Sequence, residues 1–141
     1  MKIRELTNQD PDFYTVMGPY LANRAVVKFV GDNIWDDPDK IWLVATTATG
    51  QVAGFAAFIV RGRRAVAESL YLLDPEDRAT AEALIAHTVT RFGEHAHLHA
   101  VVRNERAAVY TAHGFNVVKP PSANFTTLVR PATSDEKNAR A

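Results

Sequence analysis

The chain has 141 residues, about one domain's worth, and its 47% hydrophobic and 23% charged residues are ordinary globular usage, which excludes disordered, collagen-like and coiled-coil chains. Sixteen Lys plus Arg balance sixteen Asp plus Glu, so no global field steers nucleic acid or an anionic membrane toward the protein, and neither is expected as a partner. Cysteine is absent, which removes disulfides, thiolate metal sites and cysteine nucleophiles and suits a reducing cytoplasm.

No apolar run approaches the roughly 18 residues that span a bilayer, and Met1-Lys2-Ile3-Arg4-Glu5 is too charged for an export signal. Residues 1–6 alternate in the strand manner. Asp10-Pro11-Asp12 has the cap-then-proline order of a helix start; Phe13, Val16, Met17 and Tyr20 follow at helical spacing, and Gly18-Pro19 is expected to break or kink that helix. A second helix is expected over residues 21–30, then a polar loop that carries Trp35 among Asp36, Asp37 and Asp39.

The period changes from residue 41. Residues 41–45 and 52–60 are apolar runs separated by Ala48-Thr49-Gly50, a third run covers 65–73 after Arg61-Gly62-Arg63-Arg64, and the three read as an antiparallel meander. Leu84, Ile85, Thr88, Val89 and Phe92 mark an amphipathic helix that Asp77 can cap and that ends near Gly93. Residues 95–102 read as a strand, 104–113 as a helix closed by Gly114, and 116–118 with 125–129 as two final strands around Pro120-Pro121. Residues 1–130 make the expected domain, and 131–141, without an apolar anchor, a flexible tail.

This order resembles the GNAT superfamily of acyl-CoA-dependent N-acyltransferases. The stretch from Asn104 to Phe115, with Asn104, small residues, Tyr110 and Gly114-Phe115, is similar to that family's second motif, and residues 68–76 look like its fourth strand running into the cofactor loop. The resemblance implies an α+β, α/β/α sandwich: a mixed, mostly antiparallel sheet of six to seven strands, helices on both faces, and a splay between strands 4 and 5 that admits the pantetheine arm of acetyl-CoA. It implies backbone contacts at Leu72 and Leu73 and a diphosphate held at the start of the next helix, where unpaired N–H groups and the helix dipole favour an anion.

The pyrophosphate loop is atypical. Arg78, Ala79, Thr80, Ala81 and Ala83 stand where the family has Gln or Arg followed by glycines; Ala81 replaces the central glycine, and Leu84-Ile85 arrives about two residues early. A shortened loop offers fewer free amides, and Asp77 adds a like charge beside the phosphates.

Moving an acyl group from a thioester to an amine needs a base for the amine, a polarised carbonyl and a proton for the leaving sulfur. The resemblance implies Tyr110 as the acid, a phenol protonated at neutral pH, and Glu68 as the base; period-two alternation puts Glu68 on a face with Val66, Leu70 and Leu72. Asn104 matches the motif's cofactor-contacting Asn and is also a natural helix cap. Trp35 and Asp36 border the implied acceptor groove, where an aromatic among carboxylates suits a cationic amine.

His95, His97 and His99 alternate on one expected strand, but same-face residues about 6 to 7 Å apart are too widely spaced for three ligands on one ion, so no metal is expected. Arg61, Arg63 and Arg64 read as a soluble turn. The expected activity is transfer of an acetyl group from acetyl-CoA to a small-molecule or peptide amine by direct attack; a degenerate GNAT-fold binding module, or transfer from a donor other than CoA, is the alternative. A homodimer through the final strands is the assembly the resemblance suggests.

Overall fold

The computed structural model describes residues 1–21, 23–30, 34 and 38–134, without the side chains of Glu68 and Ser69. Its elements run β1 (Lys2–Leu6), α1 (Phe13–Leu21), α2 (Arg24–Val30), β2 (Lys40–Thr46), β3 (Val52–Arg61), β4 (Arg64–Leu72), α3 (Arg78–Phe92), β5 (His97–Arg103), a 3-10 turn (Asn104–Arg106), α4 (Ala107–Thr111), β6 (Asn116–Val117) and β7 (Phe125–Arg130). The strands make one sheet in the order β1-β2-β3-β4-β5-β7-β6, with β4 and β5 parallel and the other neighbours antiparallel.

Alternation along the central strands divides the apolar side chains between two cores. From β2 and β3, Trp42, Val44, Phe55 and Ala57 meet Phe13 and Met17 of α1 and Val26 of α2, whereas Leu43, Ala45, Ala56 and Phe58 meet Ala81, Leu84, Ile85 and Phe92 of α3 and Tyr110 of α4. Helices therefore cover both faces of an α+β sheet, as the sequence led one to expect.

The helix starts are built by side chains. Asn23 Oδ1 accepts the N–H groups of Ala25 (2.9 Å) and Val26 (3.3 Å) at the head of α2. At α1, where Gly18-Pro19 was expected to break or kink the helix, there is no break: the helix runs through Pro19 to Leu21. A proline this close to the end forfeits only the bond to the carbonyl of Thr15, so the last turn survives.

Two further expectations are corrected. His95 belongs to the turn before β5, which starts at His97, so only His97 and His99 of the three histidines alternate on a strand. Beyond β7 the chain stays attached through Ser134: Ala132 is buried, its N–H donates to His97 Nδ1 (3.1 Å), and the N–H groups of Thr133 and Ser134 donate to the carbonyls of Gly93 and Glu94 (both 3.0 Å). Residues 135–141 lie outside the described residues.

Candidate functional site

Where β4 and β5 part company decides the site. Their parallel pairing runs from Arg64 opposite His97 to Ala67 opposite Ala100 and goes no further, although β4 continues to Leu72 and β5 to Arg103. At that same point the pairing of β4 with β3 slips: Ala67 faces Phe58 but Ser69 faces Ala57, which leaves Glu68 as the extra residue of a β-bulge. A bulge adds local twist and bends its strand, so β4 turns away from β5 as it leaves Glu68.

The bulge also overturns the expected alternation. Ala65 and Ala67 below it share a core with Leu70 and Leu72 above it, so the strand's facing flips across Glu68 instead of continuing with period two. The side chain of Glu68 itself lies outside the described residues, as do Trp35 and Asp36.

Above the bulge, β4 is bonded on one side only. The N–H of Leu73 donates to the carbonyl of Ala53 (2.9 Å), and antiparallel alternation from that bond turns the peptide groups of Leu70 and Leu72 away from β3, toward the opening. Leu72 is buried, Leu73 is 46% exposed at the mouth, and Val101 on β5 is exposed. Gly54 on β3 permits the tight packing behind: a Cβ there would come within 2.6 Å of the Tyr71 carbonyl and 3.2 Å of Thr80 Cγ2.

A cleft of about 740 Å³ opens at this end, lined by Ala25, Lys28 and Phe29 of α2, Pro75 and Glu76 after β4, and Arg103, Glu105 and Arg106 at the end of β5. A smaller one of about 170 Å³ continues toward α3 and α4, sharing Pro75, Glu76, Glu105 and Arg106 with the first. Arg106 spans the waist between them, donating to the carbonyl of Pro75 (2.9 Å) with its guanidinium 4.7 Å from the Phe29 ring centre. Arg103 donates to the carbonyl of Lys28 (3.1 Å) and lies over Phe125. Sequence reasoning passed over Lys28, Phe29, Arg103 and Arg106; the available signal was their position at the carboxyl end of a parallel strand pair, where open sheets place ligands.

Tyr110 sits near the end of α4, buried, with its ring edge-on to Phe115 at 5.3 Å. Burial pushes its hydroxyl well above the ordinary phenol range, partly opposed by the Arg106 guanidinium, so the group keeps its proton at neutral pH. Asn104 does not cap a helix. Its Oδ1 accepts from Thr126 Oγ1 (2.7 Å) and its Nδ2 donates to the carbonyls of Ser122 and Ala123 (both 3.2 Å), fastening the loop before β7 to the end of β5.

Arg78, Ala79, Thr80, Ala81 and Ala83 form the opening turns of α3 and not a loop. Asp77 caps the helix, its carboxylate accepting the Thr80 N–H (3.0 Å) and the Thr80 hydroxyl (2.5 Å), while Thr80 and Ala81 are buried and Arg78 pairs with Glu82 (3.2 Å).

A sheet with one parallel pair that splays at a bulge, α1 and α2 on one face and α3 and α4 on the other, matches known structures along nearly its whole length. Escherichia coli ElaA superposes with a TM-score of 0.69 at 11% identity, covering 92% of this chain and 99% of that one. The ribosomal-protein-S18-alanine N-acetyltransferase of E. coli gives 0.66 at 18% identity and 94% of both chains. This is the GNAT fold. A GNAT superfamily phosphinothricin acetyltransferase from Sinorhizobium meliloti, solved in complex with AcCoA, gives 0.62 at 13% identity over 93% of this chain and 88% of that one. No protein-family model matches the sequence, and no curated protein does.

Among the described residues no helix is long and apolar enough to cross a membrane, and no group of three or more His, Asp or Glu is arranged to hold a metal ion. His97 accepts the Ala132 N–H, and His99 is held below the ordinary imidazole range by burial, then by Arg64 and His97. The hairpin arginines are surface tethers: Arg61 pairs with Asp39 (2.9 Å), and Arg63 reaches the His95 carbonyl and Ser134 (both 3.4 Å).

Proposed function

We propose that this chain is an N-acyltransferase that moves an acyl group, with acetyl as the reference case, from a thioester donor of the acetyl-CoA kind to an amine. The observation that carries the reading is the opening between β4 and β5, edged by the peptide groups of Leu70 and Leu72. An extended pantetheine arm has amide groups of its own and lies in such an opening as an added strand would, its thioester carbonyl beside the free edge at Leu72.

In the proposed reaction the amine nitrogen attacks the thioester carbonyl directly. The C–N bond forms, the C–S bond breaks, the amine's surplus proton passes to Glu68, and the sulfur takes its proton from the Tyr110 hydroxyl, which recovers one from solvent. That hydroxyl is protonated at neutral pH and so has a proton to give. With no cysteine in the chain, no thiol nucleophile is offered for a covalent acyl-enzyme. Trp35 and Asp36 are proposed to border the amine's approach, and a small-molecule or peptide amine is the proposed acceptor class.

The test is release of free thiol from acetyl-CoA against a panel of amines, with Tyr110→Phe beside the parent. Removing a positioned acid is expected to lower turnover by about 10²- to 10⁴-fold while the fold, read by circular dichroism, is retained. Equal turnover of the two proteins removes Tyr110 from the mechanism. A second reading, a GNAT-fold module that binds without catalysis, is favoured by the capped start of α3; absence of thiol release across the panel, with the fold intact, would select it.

A further inference from the structure

The start of α3 is chemically the wrong place for a diphosphate. A helix N-terminus attracts phosphate because several N–H groups there lack acceptors and converge on one point. In this chain those groups are already used. The N–H of Glu76 donates to Asp74 Oδ1 (2.9 Å), that of Asp77 to the Asp74 carbonyl (2.9 Å), that of Arg78 to the Glu76 carbonyl (2.9 Å), that of Thr80 to the Asp77 carboxylate (3.0 Å) and that of Ala81 to the Asp77 carbonyl (3.3 Å). Between Glu76 and Ala81 only the N–H of Ala79 has no acceptor among the described residues, and one amide does not make a cradle.

Charge points the same way. Asp74, Glu76 and Asp77 stand directly before the helix, Arg78 of its first turn is paired with Glu82, and Arg106, which lines the adjoining cleft from the end of β5, already donates to the Pro75 carbonyl. A doubly charged diphosphate brought here would have to displace the Asp77 carboxylate from two hydrogen bonds and sit beside its neighbours, at separations where like charges repel strongly. The opening between β4 and β5 carries no such obstacle, since Leu70 and Leu72 present uncharged peptide groups to it.

Resting on the acyltransferase reading, we infer that the donor is recognised through its acyl-pantetheine arm alone, and that the nucleotide diphosphate of CoA contributes nothing to its binding. The substrate class is therefore an acyl thioester of pantetheine, whether or not a nucleotide follows. The bonds made and broken are those of the transfer already described, because the difference lies in the part of the donor remote from the thioester.

Calorimetric titration of the intact chain with acetyl-CoA and with S-acetylpantetheine tests this. The expected result is a Kd for the two within about threefold of each other, where a charged diphosphate site would make acetyl-CoA at least about tenfold tighter and sensitive to salt. Such a tenfold preference, competed by inorganic pyrophosphate, overturns the inference and leaves the acyltransferase reading standing. Binding of neither thioester, with circular dichroism showing the fold intact, overturns both. Asp77→Asn, which keeps the cap's hydrogen-bonding oxygen and removes its charge, is expected to shift the ratio toward acetyl-CoA by several-fold; an unchanged ratio overturns the role given to Asp77.

Discussion

The two halves of β4 obey different rules. From Arg64 to Ala67 the strand is bonded on both edges, to β3 and to β5, and its inward residues are sealed among Leu98, Ala100 and Leu128. From Ser69 to Leu72 it is bonded to β3 alone, and its other edge faces an opening. One residue, Glu68, separates the halves by standing outside the ladder. The contrast teaches that the sheet's stability and its opening are produced by the same strand, with the bulge as the divider: below it, peptide groups are consumed by neighbouring strands; above it, those of Leu70 and Leu72 face the opening.

The largest stability effect should come from breaking the sealed half. Leu98 on β5 is 1% exposed, and Leu98→Ala is expected to cost about 2 to 5 kcal/mol, whereas Leu73→Ala at the mouth of the open half should stay within about 0.5 kcal/mol. Urea unfolding of the two variants checks the pair, and similar costs would mean that the open half is packed as tightly as the closed one. Next in size is the start of α3. Asp77→Ala removes a cap that satisfies the Thr80 N–H and is expected to cost about 0.5 to 2 kcal/mol by the same measurement.

The smallest effect sharpens the comparison through pH. His99 lies opposite Val66 in the sealed half, and its imidazole is held below its ordinary value by burial, Arg64 and His97. The unfolded chain therefore takes up a proton at about pH 6.5 that the folded chain refuses, so stability is full above that pH and falls as the pH drops through the lowered value. A modest fall in melting temperature between pH 7.5 and pH 5 is expected, with a shallower slope in His99→Gln. A slope unchanged by the substitution would assign the acid sensitivity to other groups.

Much of the fold was legible from local pattern. The run of alternating and amphipathic segments, the turn glycines Gly50, Gly62 and Gly114 with positive φ, and the cap at Asp77 all follow from residues within a few positions of one another. The candidate site was legible only in outline. Tyr110 was marked by its motif, yet its burial depends on the core that α4 shares with α3 and the sheet, and Asn104 looked like a cap because a side chain that bonds residues 18 to 22 positions away leaves no local trace. The attachment of residues 132–134 left no local trace for the same reason: Ala132 finds its partner in His97, which nothing near residue 132 announces.

By itself the amino-acid order determined which segments extend and which coil, where α3 begins and what seals its first turn, because propensity, periodicity and capping act over one or two turns of chain. The tertiary structure alone decided that β4 leaves β5 at Glu68, that Arg103 and Arg106 reach across the cleft to Lys28 and Pro75, and that the amides from Glu76 to Ala81, Ala79 apart, are already taken. Those outcomes depend on which distant peptide groups and side chains come to lie side by side, and hydrogen-bond partners are assigned in space, not along the chain.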